Sequence, residues 1–304
     1  MRNAELNPRT RADIDQQVGK LLRDLDNPEP PISLADIRAV QELDLQYYSS
    51  TETGVLTELG HKMRVGVHQV LKRPGLLLDV VKKLSLKALW VPDRKRILID
   101  SDEPVLKHRW SEAHEVGHSL LPWHQMFLHG DSQRTLSPLC HHMIETEANY
   151  AAGRMLFLQD RFVAELRSSP VDLDAIKKMK KRFGNTMTST LWRTVESLDV
   201  PAIGIVCDHP HYPGETFDRT SPLRYFVRST AFFQRFSQIS EQEVFAVLQR
   251  YCSWKKRGPL GQAEVILSDD AGEEHVFRFE TFNNTYDTLT LAIHQRKHAA
   301  LVAV

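Results

Sequence analysis

Arg109-Trp110-Ser111-Glu112-Ala113-His114-Glu115-Val116-Gly117-His118 places two histidines four positions apart, with a glutamate directly after the first. On an α-helix, residues i and i+4 project from one face a turn apart, so these two imidazoles can converge on a single ion. Glu115 then stands at the edge of that face, where it can accept a proton from a water held beside the ion. This is the HExxH arrangement of metallohydrolases. Trp110, Ala113, Val116, Leu120 and Leu121 are apolar residues that bury the other faces of such a helix, and Pro122 stops it.

A catalytic zinc takes three protein ligands and keeps its fourth position open, so a further ligand must arrive from outside this helix. The next strong helical pattern, roughly residues 141 to 158, offers Glu145 and Glu147. Two positions are about 200° apart round a helix, so only one of these carboxylates can face the ion. Ala148, Ala151, Ala152 and Gly153 are small enough to let this helix approach the first closely.

Three runs, Arg109 to His118, Glu147-Ala148-Asn149 with Ala151-Ala152, and Arg182-Phe183-Gly184 to Leu191-Trp192-Arg193, together resemble the ImmA/IrrE metallopeptidases over roughly residues 10 to 205. The hallmark there is AHE-x-GH followed by an E-A-N-x-(F/A)-A helix. The resemblance implies an α+β, zincin-like (gluzincin) fold, with a small mixed β-sheet against the metal helices. It implies a Zn2+ cofactor held by His114, His118 and Glu147, with Glu115 as the catalytic base, and it favours Glu147 over Glu145 because Ala148-Asn149 follow it. It further implies an endopeptidase acting on a protein substrate, of the kind of a helix-turn-helix repressor encoded nearby, in mobile-element or stress responses. Three departures bear on substrate and packing rather than on zinc. Ala151 stands where the family usually has an aromatic, Met155-Leu156-Phe157-Leu158 replaces a Leu-Leu-Met-Pro-like end, and Glu112 occupies a position more often apolar.

Outward from this centre, Ile14, Val18, Leu21, Leu22 and Leu25 recur at helical spacing after Thr10, and Ser33 with Asp36 opens a second helix. Residues 55 to 84 read as helix-like and ambiguous. Residues 86 to 91 and 95 to 99 read as a hairpin just before the signature helix. Helices follow at about 172 to 183 and 186 to 197, then a short buried strand at 202 to 207. The turn-forming residues of 208 to 222 suggest a boundary, dividing a metallopeptidase domain, 1–208, from a smaller C-terminal α+β module, 222–304. In that module a helix is expected near 223 to 237 and another from Ser240. Three strands follow, around Val265 to Leu267, Val276 to Phe279 and Thr288 to Ile293.

The 304 residues are 41% hydrophobic and 26% charged, ordinary globular usage that permits a sizeable core. Lys plus Arg and Asp plus Glu both number 39, so no strong overall field draws the chain to nucleic acid or an anionic membrane. The N-terminal residues lack an apolar segment, no run approaches a membrane span, and three scattered cysteines do not make a disulfide framework. A cytoplasmic protein without a membrane partner is the expectation. Lesser candidates are His124, His129, His141 and His142 for an oxyanion or substrate role, and Cys140 as a soft ligand. The basic runs Lys177 to Arg182 and Lys255 to Arg257 read chiefly as solvated faces, and Trp254 and Phe232-Phe233 as core. The rival to an enzyme is a non-catalytic regulator that keeps the fold to bind a partner or DNA; a third reading keeps the enzyme with a small-peptide or toxin-like target.

Overall fold

The computed structural model describes residues 6–48, 88–91, 95–102, 105–124, 138–168, 170–215 and 217–298. The helix-like pattern at 55 to 84 lies outside them. The described chain is α+β and divides into two compact units.

The first unit comprises Leu6–Gln159 with Phe183–Asn185. Helix α1 (Pro8–Asp24) starts on Asn7, whose side chain accepts from the Arg9 amide, so the N-cap precedes the expected Thr10. Helix α2 (Leu34–Gln41) is capped by Ser33, which accepts from Asp36 N as the sequence suggests. Strands β1 (Asp44–Tyr48), β2 (Ala88–Val91) and β3 (Arg96–Asp100) form a sheet in the order β1-β3-β2. β2 and β3 make the expected antiparallel pair, and β1, which the sequence did not announce, runs parallel to β3. Central β3 is buried at Ile97, Leu98 and Ile99 and carries helix α3 (Val105–Leu120). Helix α4 (Pro138–Leu156) packs along α3 and is tied to α1, where Asp15 receives hydrogen bonds from Tyr150 and Arg154.

The second unit comprises Asp160–Arg182 and residues 186–298. Helices α5 (Asp160–Leu166), α6 (Leu173–Phe183) and α7 (Met187–Glu196) precede strand β4 (Ala202–Cys207). Strand β5 (Leu223–Arg228), helices α8 (Thr230–Arg235) and α9 (Glu241–Tyr251), and strands β6 (Gly258–Ser268), β7 (Glu274–Asn283) and β8 (Thr288–Lys297) complete it. The strands form one antiparallel sheet, β5-β4-β8-β7-β6. Alternation along β4 sends Ile203, Ile205 and Cys207 to a core shared with α8 and α9, and Ala202 and Val206 to a core shared with α6 and α7.

Two expectations are corrected here. Leu223–Arg228 is a strand rather than the start of a helix, its register with β4 running from Ile203 opposite Arg228 to Cys207 opposite Leu223. The division of the chain falls at Gln159/Asp160 instead of within 208–222, because β4 hydrogen-bonds to β5 and β8 and so belongs with the later strands. The Ser240–Glu243 capping box and the three late strands are as expected. No helix among the described residues is long and apolar enough to cross a membrane.

Candidate metal centre

Helical spacing on α3 brings the His114 and His118 Nε2 atoms to 3.2 Å from each other. The Glu145 carboxylate from α4 closes the group, with Oε2 3.1 Å from His114 Nε2 and Oε1 3.6 Å from His118 Nε2. His114, His118 and Glu145 thus form one candidate set of metal ligands. Glu147, the carboxylate favoured by the resemblance, does not join it. Its Oε2 instead accepts from Trp123 Nε1 at 2.6 Å and His124 Nε2 at 2.9 Å, in a buried position. Trp123 and His124, just past the end of α3, turn that carboxylate away from the pair. Among the described residues it is therefore Glu145, the rival on the same helix, and not the expected Glu147, whose carboxylate lies against the two imidazoles.

The outer nitrogens of both imidazoles are also engaged. His114 Nδ1 lies 3.1 Å from Asn149 Oδ1, and because that oxygen only accepts, the proton of neutral His114 belongs on Nδ1 and its Nε2 is bare. His118 Nδ1 lies 3.0 Å from His124 Nδ1. With their Nε2 atoms bare, the two imidazoles and the Glu145 carboxylate offer three ligand atoms facing one another at these distances, a group that could hold a metal ion. Nitrogen and carboxylate donors in this number suit a borderline ion such as zinc. The residues therefore fit the metal that the sequence pattern implies.

Burial alone pulls the His114 imidazolium down, but the hydrogen bond to Glu145 and the charges of Glu115 and Glu145 outweigh it and hold His114 above its ordinary value. His118, where burial prevails, lies below its own. Burial pushes Glu145 up, yet the hydrogen bonds and charges of the two histidines bring it far below the usual carboxylate range. Glu115 is buried on the same turn of α3, near enough for its charge to act on His114.

Of the lesser candidates, His124 is fully buried with both ring nitrogens engaged, which removes it as an oxyanion donor. His142 is exposed at the start of α4; His129 and the side chains of Cys140 and His141 lie outside the described residues. The Lys177 ammonium pairs with Asp174 and covers the Phe282 ring, while Lys178, Lys180, Lys181 and Arg182 line the solvated face of α6. Phe232 is core as expected, but Phe233 is partly exposed and Trp254 is 65% exposed, its indole stacked on His211. Asp269, Glu273 and His275 make a second group of ligand-type side chains. There the protein's own cations already occupy the acceptors. Arg235 Nη2 stands 3.1 Å from Asp269 Oδ2 and 3.2 Å from His275 Nε2, and Lys297 pairs with Glu273.

Compared by sequence, the chain matches no family model, and no curated protein matches it. Among solved structures it is similar to a Mycobacterium tuberculosis transcriptional regulator at 12% identity and a TM-score of 0.53, with 93% of this chain and 76% of that chain covered. At that identity the likeness is one of fold.

Proposed function

We propose that this chain is a zinc-dependent endopeptidase of the ImmA/IrrE kind, with a zincin-like metal site made by α3 and α4, acting in the cytoplasm on a protein substrate. The observation that carries the reading is the convergence of His114 Nε2, His118 Nε2 and the Glu145 carboxylate, with Glu115 buried on the same helical turn.

Bound there, zinc supplies Lewis acidity to a scissile carbonyl and to an attacking water. His114, His118 and Glu145 hold the ion. Glu115 accepts the proton of the attacking water and delivers it to the leaving amine. Asn149 keeps the His114 proton on Nδ1, which leaves Nε2 to bind. A helix-turn-helix repressor is the substrate class to which the resemblance points.

The likeness in fold to a transcriptional regulator favours a second reading, a non-catalytic regulator that binds a partner or DNA. Glu115 speaks against it, since a purely structural metal site needs no general base.

Metal analysis of the purified chain is expected to give about one zinc per chain, lost in His118→Ala and in Glu145→Ala. Incubation with helix-turn-helix proteins encoded beside it is expected to yield a discrete cut, absent in Glu115→Gln, which still binds zinc. Zinc binding without cleavage of any such protein would favour the regulator; a chain that takes up no zinc would sink both the site and the peptidase.

A further inference from the structure

We infer that the buried pair His124–Glu147 positions His118 for metal binding by fixing which of its nitrogens is bare. This inference rests on the zinc-site reading above and extends it beyond the ligands.

To bind a metal through Nε2, His118 must carry its proton on Nδ1 and find an acceptor for it. The atom 3.0 Å from His118 Nδ1 is His124 Nδ1, and an imidazole nitrogen accepts only when it is bare. His124 must then carry its own proton on Nε2, which lies 2.9 Å from Glu147 Oε2. A carboxylate has no proton to give, so Glu147 settles the question for both rings. Trp123 Nε1–H, 2.6 Å from the same oxygen, is a second donor to that carboxylate and takes no part in the proton order.

Burial makes the assignment strict. His124 is 0% exposed, and His118 and Glu147 are each 7% exposed, so little water is at hand to rescue a mispaired nitrogen. Moving either proton sets two bare nitrogens, or two N–H groups, against each other. The two histidine ligands are thus backed differently: His114 by the neutral Asn149 carbonyl, His118 through His124 by the charge of Glu147. A charge behind a ligand imidazole increases its basicity and its grip on a metal.

The test is zinc affinity of the full chain, measured by competition with a chromophoric chelator, for the wild type, Glu147→Gln and Trp123→Phe. Glutamine keeps the volume of Glu147 and an acceptor for Trp123 and His124, but it lacks the charge and brings an NH2 group that can reverse the proton order. Loss of such an outer partner costs about 10–100-fold in metal affinity, so Glu147→Gln is expected to bind zinc at least tenfold more weakly. Trp123→Phe, which leaves the proton order intact, is expected to stay within threefold. A Glu147→Gln affinity within threefold of wild type overturns the inference, as does an equal loss in Trp123→Phe, which would mark the effect as packing.

A second readout needs no variant. Histidine-ring 15N shifts of the metal-free wild type at about pH 8 must assign His118 as the Nδ1–H tautomer and His124 as the Nε2–H tautomer; the opposite assignment for His124 overturns the inference. A wild type that binds no zinc fails the peptidase reading itself, whereas zinc binding that ignores Glu147 fails only this one.

Discussion

Arg38 Nε stands 2.7 Å from Glu112 Oε1, and this contact explains a glutamate on the metal helix where the resemblance leads one to expect an apolar residue. Glu112 is 8% exposed, so its carboxylate keeps little water. Arg38→Ala is expected to destabilise the chain by about 1–3 kcal/mol, because it takes the hydrogen-bonded partner from a buried carboxylate and leaves it only the charge of Arg109 nearby, while Arg38→Met combined with Glu112→Leu should return to within about 1 kcal/mol of wild type. Urea unfolding measures both; an Arg38→Ala chain as stable as the parent would make the pair inert. The same scale separates what the sequence discloses about the site from what it hides. His114, Glu115 and His118 are legible because one turn of helix fixes their relation whatever surrounds them. Glu145 and Glu147 are not, since the choice depends on which neighbour captures each carboxylate, and Trp123 and His124 reach Glu147 across a gap in sequence that no local spacing encodes. Ala148-Asn149 pointed to the correct helix, and Asn149 does meet the site, but through the outer nitrogen of His114.

Between α3 and α4 the decisive contact is backbone on helix. A Cβ at Gly117 would lie 2.7 Å from the Ala148 carbonyl oxygen and 3.4 Å from Ala151 Cβ. Backbone cannot swing aside, so Gly117→Ala must push the helices apart, at about 1–3 kcal/mol. Gly153, further along α4, has no atom within 4 Å of the Cβ position. Gly153→Ala is therefore expected to stabilise by about 0.5–1 kcal/mol through helix propensity alone. Opposite signs in urea unfolding of the two variants test the packing; a neutral Gly117→Ala would mean that the helices do not meet there. Elements whose periodicity is long and whose ends are marked were legible, among them α1, α9 with its capping box, and β6 to β8. β1 was not, because Asp44-Leu45-Gln46-Tyr47-Tyr48 is short and mixed and becomes a strand only by pairing with β3. β5 misled for a related reason: Leu223 to Arg228 follows Ser221-Pro222 and precedes a true helix, and only β4 beside it selects the extended form.

Over the whole molecule, the run of turn residues at 208–222 looks like a linker yet joins two adjacent strands of one sheet, β4 and β5. β4 is buried at every position, and a strand buried on both faces needs hydrogen-bonded neighbours on both edges, of which one is the next strand, β5, and the other, β8, comes from far along the chain. Composition cannot show this; pairing does. Formal charge sums to zero at pH 7, so net repulsion does not oppose folding there, and on acidification the individual carboxylates add their own losses to the growing positive charge. In the first unit, burial works to raise Glu147, but hydrogen bonds from His124 and Trp123 hold it below its ordinary value, and Glu145 is lowered in the same way by His114 and His118. In the second, backbone and side-chain bonds at Ser240 lower Glu243, and Asp269 is lowered against its burial by Glu273 N–H and Arg235. Each of these groups binds its proton more readily in the unfolded chain, so stability is fully present above the unfolded value of about 4 and is lost progressively as pH falls from there through the lowered folded values. His294, lowered by burial and by the charges of His275 and Arg235, also favours the folded chain at higher pH; its share is complete above its unfolded value of about 6.5 and declines below it. His114, raised, acts in the opposite sense and gives its share below about 6.5, so it cannot reverse the loss near pH 4, where both forms of the chain hold that proton. The metal-free chain is therefore expected to show a urea midpoint at pH 3.5 well below that at pH 6, followed by tryptophan fluorescence, and Glu145→Gln with Glu147→Gln should shrink the difference. Equal midpoints at the two pH values would mean that the native carboxylates keep their ordinary affinities and that the hydrogen bonds drawn to them contribute nothing.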